Sequence, residues 1–159
     1  MITGIGSSTA TCLLEEEISS PASSSSTMGE NFEYEYEDQR KQLLAVFNKI
    51  AAFRHLAQGW DSYRAPQIDL ATQSVAKRII KLLWLSLGTG LPEPFVAPCS
   101  DGGILLEWEL PKREISVTIG QGGTECEYLV AEKATDSIVE EGTIRDIRIL
   151  VTRILIQFI

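Results

Sequence analysis

Ile104-Leu105-Leu106-Glu107-Trp108-Glu109-Leu110-Pro111-Lys112-Arg113-Glu114-Ile115-Ser116-Val117-Thr118-Ile119 decides how the chain is read. Ile104, Leu106, Trp108 and Leu110 alternate with Leu105, Glu107 and Glu109, the period-two pattern of a half-buried strand. Pro111-Lys112-Arg113 turns the chain. Ile115, Val117 and Ile119 then alternate with Glu114, Ser116 and Thr118. So short a connection forces antiparallel neighbours.

The same reading extends outward. Phe95 to Ala97 is a short strand, and Asp101-Gly102-Gly103 is a turn signal. Gly120-Gln121-Gly122-Gly123 turns again. Cys126, Tyr128 and Val130 alternate with Glu125, Glu127 and Leu129, and a weaker fifth strand covers Ser137 to Glu140. The expected sheet is a meander of four or five strands.

The flanks change period. Leu43, Val46, Phe47, Ile50 and Phe53 recur at spacings of three and four, which predicts a helix over about Glu37 to Ala57. Asp69 reads as the N-cap of a second helix from about Leu70 to Leu87. Its apolar stripe is Val75, Ile79, Leu82 and Leu83. Gly88, Gly90, Pro92 and Pro94 end it. Thr143 reads as the cap of a last helix, with Asp146 near its positive end. There Ile147, Leu150, Val151, Ile154 and Phe158 form one stripe, while Ile149, Leu155, Ile156 and Ile159 add apolar surface on other sides. The many β-branched residues keep a strand reading open for this segment. The expected fold class is α+β: two N-terminal helices, the meander and a C-terminal helix, with all helices on one sheet face.

The charge is unevenly placed. The chain of 159 residues carries a net charge of −8. Residues 1–38 hold eight of the 22 acidic residues and no Lys or Arg, which leaves 14 acidic against 14 basic residues in the rest. With its Ser-rich stretch (Ser19, Ser20 and Ser23 to Ser26), the segment 1–36 reads as a disordered acidic tail before a single domain, 37–159. Glu33 to Asp38 alternates acids with Tyr34 and Tyr36, either as a docking motif or as the solvated approach to the helix. No apolar run is long enough to span a membrane, and Met1 to Leu14 lacks the basic start of a secretory signal. A cytoplasmic protein is the expectation.

Gly59-Trp60-Asp61-Ser62-Tyr63 with Ala65-Pro66, then Pro92 and Pro98, then Asp101-Gly102-Gly103-Ile104 and Leu106-Glu107-Trp108, resembles a family of small uncharacterised bacterial proteins with a GWD…P…DGGI…EW pattern. The resemblance covers roughly residues 40–145. It implies a bacterial α+β domain and carries no catalytic residue with it.

The chemistry-bearing residues are few. His55 is the only histidine and reads as a capping or partly buried residue. Cys12, Cys99 and Cys126 form no CxxC and, with one histidine, no zinc set. They are expected to be inert thiols. Neither a Walker A sequence nor GxSxG occurs. No metal or cofactor is expected. Glu107 and Glu109 share a strand face, with Glu114 or Ser116 opposite and Lys112 in the turn, which is the lead for a metal-dependent hydrolase or nuclease. Against it, Glu109-Leu110-Pro111-Lys112 places two residues where the usual nuclease strand has one. Lys77, Arg78 and Lys81 make a small basic patch, too small beside an acidic tail for a nucleic-acid surface. Trp60, Asp61 and Tyr63 suit a binding loop, or Trp60 covers the core while Asp61 closes an Asx turn. Ile149 and Ile156 suit an interface.

The expectation is therefore a non-catalytic interaction module: an accessory, antitoxin-like or inhibitor-like partner of another bacterial protein, or a homodimer. A secretion-chaperone-like dimer is the alternative by fold analogy, and the hydrolase the alternative by chemistry.

Overall fold

The computed structural model describes residues 27–159, and the side chains from residue 37 onward except that of Gln39. Three helices pack on one face of a five-stranded antiparallel sheet. The helices are α1 (Thr27–Ala52), α2 (Leu70–Leu87) and α3 (Ile147–Phe158), and the strands are β1 (Phe95–Pro98), β2 (Ile104–Glu109), β3 (Arg113–Ile119), β4 (Cys126–Glu132) and β5 (Ser137–Ile144). Spatial order follows chain order, a simple meander. The α+β expectation holds.

The core follows from strand parity. Val96, Leu106, Val117, Tyr128 and Gly142 form one row across the sheet, and Ile104, Ile119, Cys126 and Ile144 form the next. Trp108, Ile115 and Val130 make a third. All but Gly142 and Ile144 are buried. Over this floor α1 lies against β1, α2 against β2 and β3, and α3 against β4 and β5, with α2 touching both other helices. Val46 and Ile50 of α1, Ile79, Ile80 and Leu83 of α2, and Leu150, Val151 and Ile154 of α3 complete one apolar cluster. The ring of Trp108 meets Phe158 edge-on at 6.3 Å between centroids, a favoured aromatic geometry.

Two elements differ in their bounds from the sequence reading. Helix α1 starts at Thr27 rather than Glu37, so residues 27–36, read as tail, are helical. Their acid-only charge masked ordinary helix propensity, and extending a helix already nucleated by packing costs little. The disorder expected of residues 1–26 lies outside the described residues. At the other end α1 stops at Ala52 and tightens into a 3-10 turn, Phe53–His55.

The second difference is β5, which runs to Ile144 because Thr143 and Ile144 still pair with Glu127 and Cys126. Thr143 is thus a strand residue. Asp146 caps α3 instead, accepting the Arg148 N–H at 2.8 Å. The last segment is the expected helix and not the strand left open for it. Its buried residues recur at helical spacing, and that stripe outweighs β-branching.

Tyr128 explains a glycine. A Cβ at Gly142 would sit 3.0 Å from the Tyr128 ring, so the bare backbone leaves the ring room on the neighbouring strand. Tyr128 then donates to Glu140 at 2.8 Å, and Gln157 and Arg153 of α3 reach the same carboxylate at 3.1 and 3.3 Å. This clasp fixes the edge of the sheet to the last helix.

Trp108 is fully enclosed. Trp108→Ala is expected to cost about 3–5 kcal/mol by urea denaturation, the range for a buried large-to-small change. A loss below about 1 kcal/mol would contradict the burial of this ring.

Candidate functional site

The residues singled out from sequence fall in three separate places. The first is the loop after α1. Asp61 Oδ1 accepts the N–H of Tyr63 at 2.8 Å and of Ala65 at 2.9 Å. These bonds hold its carboxyl below the ordinary carboxylate range, so Asp61 closes an Asx turn. Trp60 is half-buried, its indole N–H enclosed and, among the described residues, without a hydrogen-bond partner. Tyr63 is 87% exposed, flanked by Ser62 and Arg64 at φ of 70° and 86°. The structure does not bring the three residues together as a pocket: Asp61 builds the loop, Trp60 turns inward and Tyr63 turns out.

The same end of the molecule joins motifs far apart in sequence. A Cβ at Gly102, where φ is 87°, would meet Pro66 at 2.9 Å, so the turn before β2 fits against the loop only with glycine there. Asp101 accepts the Gly103 N–H at 2.9 Å. Asp69 accepts the Thr72 N–H at 2.7 Å as N-cap of α2, and the Gly122 N–H of the turn before β4 at 2.8 Å. Glycines and aspartates in the quoted motifs therefore build turns. The reach of Asp69 to Gly122 had no sequence signal, because the two are separated by the whole of α2 and three strands.

The second place is the outer sheet face, which no helix of the described residues covers. Small residues Ser116 and Thr118 of β3 floor a trough of about 570 Å³, walled by Leu105, Glu107, Glu127, Leu129, Glu141 and Thr143. Glu107 pairs across from Ser116, and Glu109 from Glu114. Burial, and then the neighbouring Glu114, push the Glu107 carboxyl up. Glu109 is held down by the hydrogen bond and charge of Lys133, which comes from the β4–β5 turn and not from the predicted Lys112. Among the described residues no three His, Cys, Asp or Glu side chains gather closely enough to hold a metal ion. His55 is exposed rather than partly buried, and accepts from Arg54 at 3.0 Å. Burial raises both described thiols, Cys126 to about 11 and Cys99 above its ordinary value, so neither is a thiolate at neutral pH.

The third place is the outward side of α3. Ile149 is 54% and Ile156 59% exposed, two turns apart on one face. Thr152 lies between them. Lys77 is half-buried on α2, and Arg78 and Lys81 are exposed. No helix of the described residues is long and apolar enough to cross a membrane. Comparison with protein-family models, with curated proteins and with solved structures finds no match.

Asp69 offers a test of the turn-joining end. Partial burial pushes its carboxyl up, but the bonds from Thr72 and Gly122 outweigh this and hold it below its ordinary value. A depressed folded pKa gives stability that is present above the unfolded pKa and lost as pH falls through the folded one. Asp69→Ala is expected to cost about 1–2 kcal/mol at neutral pH. In urea titrations the gap between variant and wild type should narrow as pH falls below about 4. A constant gap would mean that the charge of Asp69 plays no part.

Proposed function

We propose that the chain is a non-catalytic interaction module that associates through the outward face of α3, a second copy being its partner there. The observation that carries this reading is the exposure of Ile149 and Ile156. Helix α3 already spends Leu150, Val151 and Ile154 on the core, so these two isoleucines are surplus to folding. Ile156 continues into a hollow of about 380 Å³ with Leu110, Pro111, Phe158 and Ile159. Contiguous apolar surface of this kind is uncommon on a monomer unless something covers it.

An antiparallel two-fold pairing of α3 sets Ile149 of one copy against Ile156 of the other, across Thr152. Arg153 is drawn aside to Glu140 at 3.3 Å, which keeps like charges out of the centre. Burying an exposed isoleucine contributes on the order of 1–2 kcal/mol, and the pairing repeats each contact twice. The turn-building use of the glycines and aspartates in the GWD…DGGI…EW motifs fits a scaffold better than a reaction centre.

Light scattering at micromolar concentration tests the reading. The wild type is expected at twice the chain mass. Ile149→Glu and Ile156→Glu are expected to be monomeric with thermal midpoints close to the wild type, since both side chains lie outside the core. A monomeric wild type, or a dimer that survives both substitutions, would remove self-association through α3.

A further inference from the structure

The two edges of the sheet are built differently. Strand β1 has four residues, ends in Pro98 and follows Pro94. Shortness and proline are common guards against pairing with another chain. Strand β5 has eight residues and no proline. It pairs with β4 alone, so alternate residues direct their N–H and C=O groups away from the sheet. No backbone group of β5 finds a partner on that side among the described residues. Ile138 and Val139 on this strand are 57% and 50% exposed.

Charge decides what kind of strand the edge accepts. The outer face carries Glu107, Glu114, Glu127 and Glu141, none in an ion pair among the described residues. Glu141 stands on β5 itself, across from Leu129, and Glu127 lies beside Thr143. A second copy suits this edge poorly. An antiparallel two-fold pairing keeps each sheet face continuous across the seam, so one centred on Glu141 sets that carboxylate opposite its own copy, and like charges directly opposite destabilise a ladder.

We infer that the β5 edge binds an extended segment of a different, basic protein, which adds a sixth strand and directs Lys or Arg side chains over the acidic outer face. The backbone ladder would supply affinity, and the carboxylates would select the sequence and the face. One side chain of the added strand lies next to Glu141 and reaches toward Glu127 in the trough. Another packs against Ile138. The test of this edge uses residues of β5 and the outer sheet face and none of the exposed isoleucines of α3, so the two readings stand or fall separately.

Fluorescence anisotropy with the full chain tests the inference at low salt, using a labelled short peptide that alternates Lys and Val. A second peptide alternates Lys and Pro, with the same charge and few donors. The Lys–Val peptide is expected to bind, to lose about tenfold in affinity to Glu141→Lys, and to bind Glu37→Lys nearly as well as the wild type. The Lys–Pro peptide is expected to bind at least about tenfold more weakly. Amide exchange in β5 should slow in the complex. Equal binding of the two peptides, or equal loss in Glu141→Lys and Glu37→Lys, would reduce the effect to net charge and overturn the inference. So would no binding at all. Protection of β5 amides that rises with the protein's own concentration would put a second copy at the edge, and would overturn it too.

Discussion

The parity of the meander is the constraint on which the other contacts depend. A strand shifted by one residue exchanges its two faces. Such a slip in β2 would bury Glu107 and expose Trp108, and in β3 it would bury Glu114 and Ser116. The penalty for burying an unpaired carboxylate far exceeds the loss of any one surface contact, so the registers of β2, β3 and β4 lock together. The glycine at 142 belongs to the same system. It gives Tyr128 room on the inner face, which carries the phenol to Glu140 and ties β5 to α3.

The turns at one end of the sheet hold that registration in place. Asp61, Asp69 and Asp101 each accept backbone N–H groups, and Asp69 serves two segments at once. Pro66 packs where Gly102 leaves space. This end is made of backbone, carboxylates and glycines, which suits fixing loop ends. Of the loop residues that drew attention in sequence, Asp61 and Trp60 are thereby accounted for as structure, while Tyr63 faces solvent.

What remains after folding is a molecule with two unlike surfaces. The helical layer presents the exposed isoleucines of α3, while the open sheet face presents carboxylates around a polar trough. One surface suits apolar association and the other suits a basic partner. The negative charge of the sheet face disfavours nucleic acid and anionic membrane there.

Local pattern was enough to read much of this from the chain. Alternation in 104–119 and 126–130 specified the strands and their inner faces. The spacing of Leu43 to Phe53 and the Asp69 cap specified two helices. Glu107 and Glu109 were legible as residues of the solvated face. These features depend on neighbours in sequence, and a period of two or of 3.6 residues reveals them directly. The extension of β5 through Thr143 and the bond from Gly122 to Asp69 were decided by tertiary structure. Each rests on a partner distant in the chain, whose position no local pattern encodes. The exposure of Ile149 and Ile156 was decided in the same way: sequence shows that α3 has more apolar residues than one stripe needs, but only the arrangement of α1, α2 and the sheet determines which of them are left facing water.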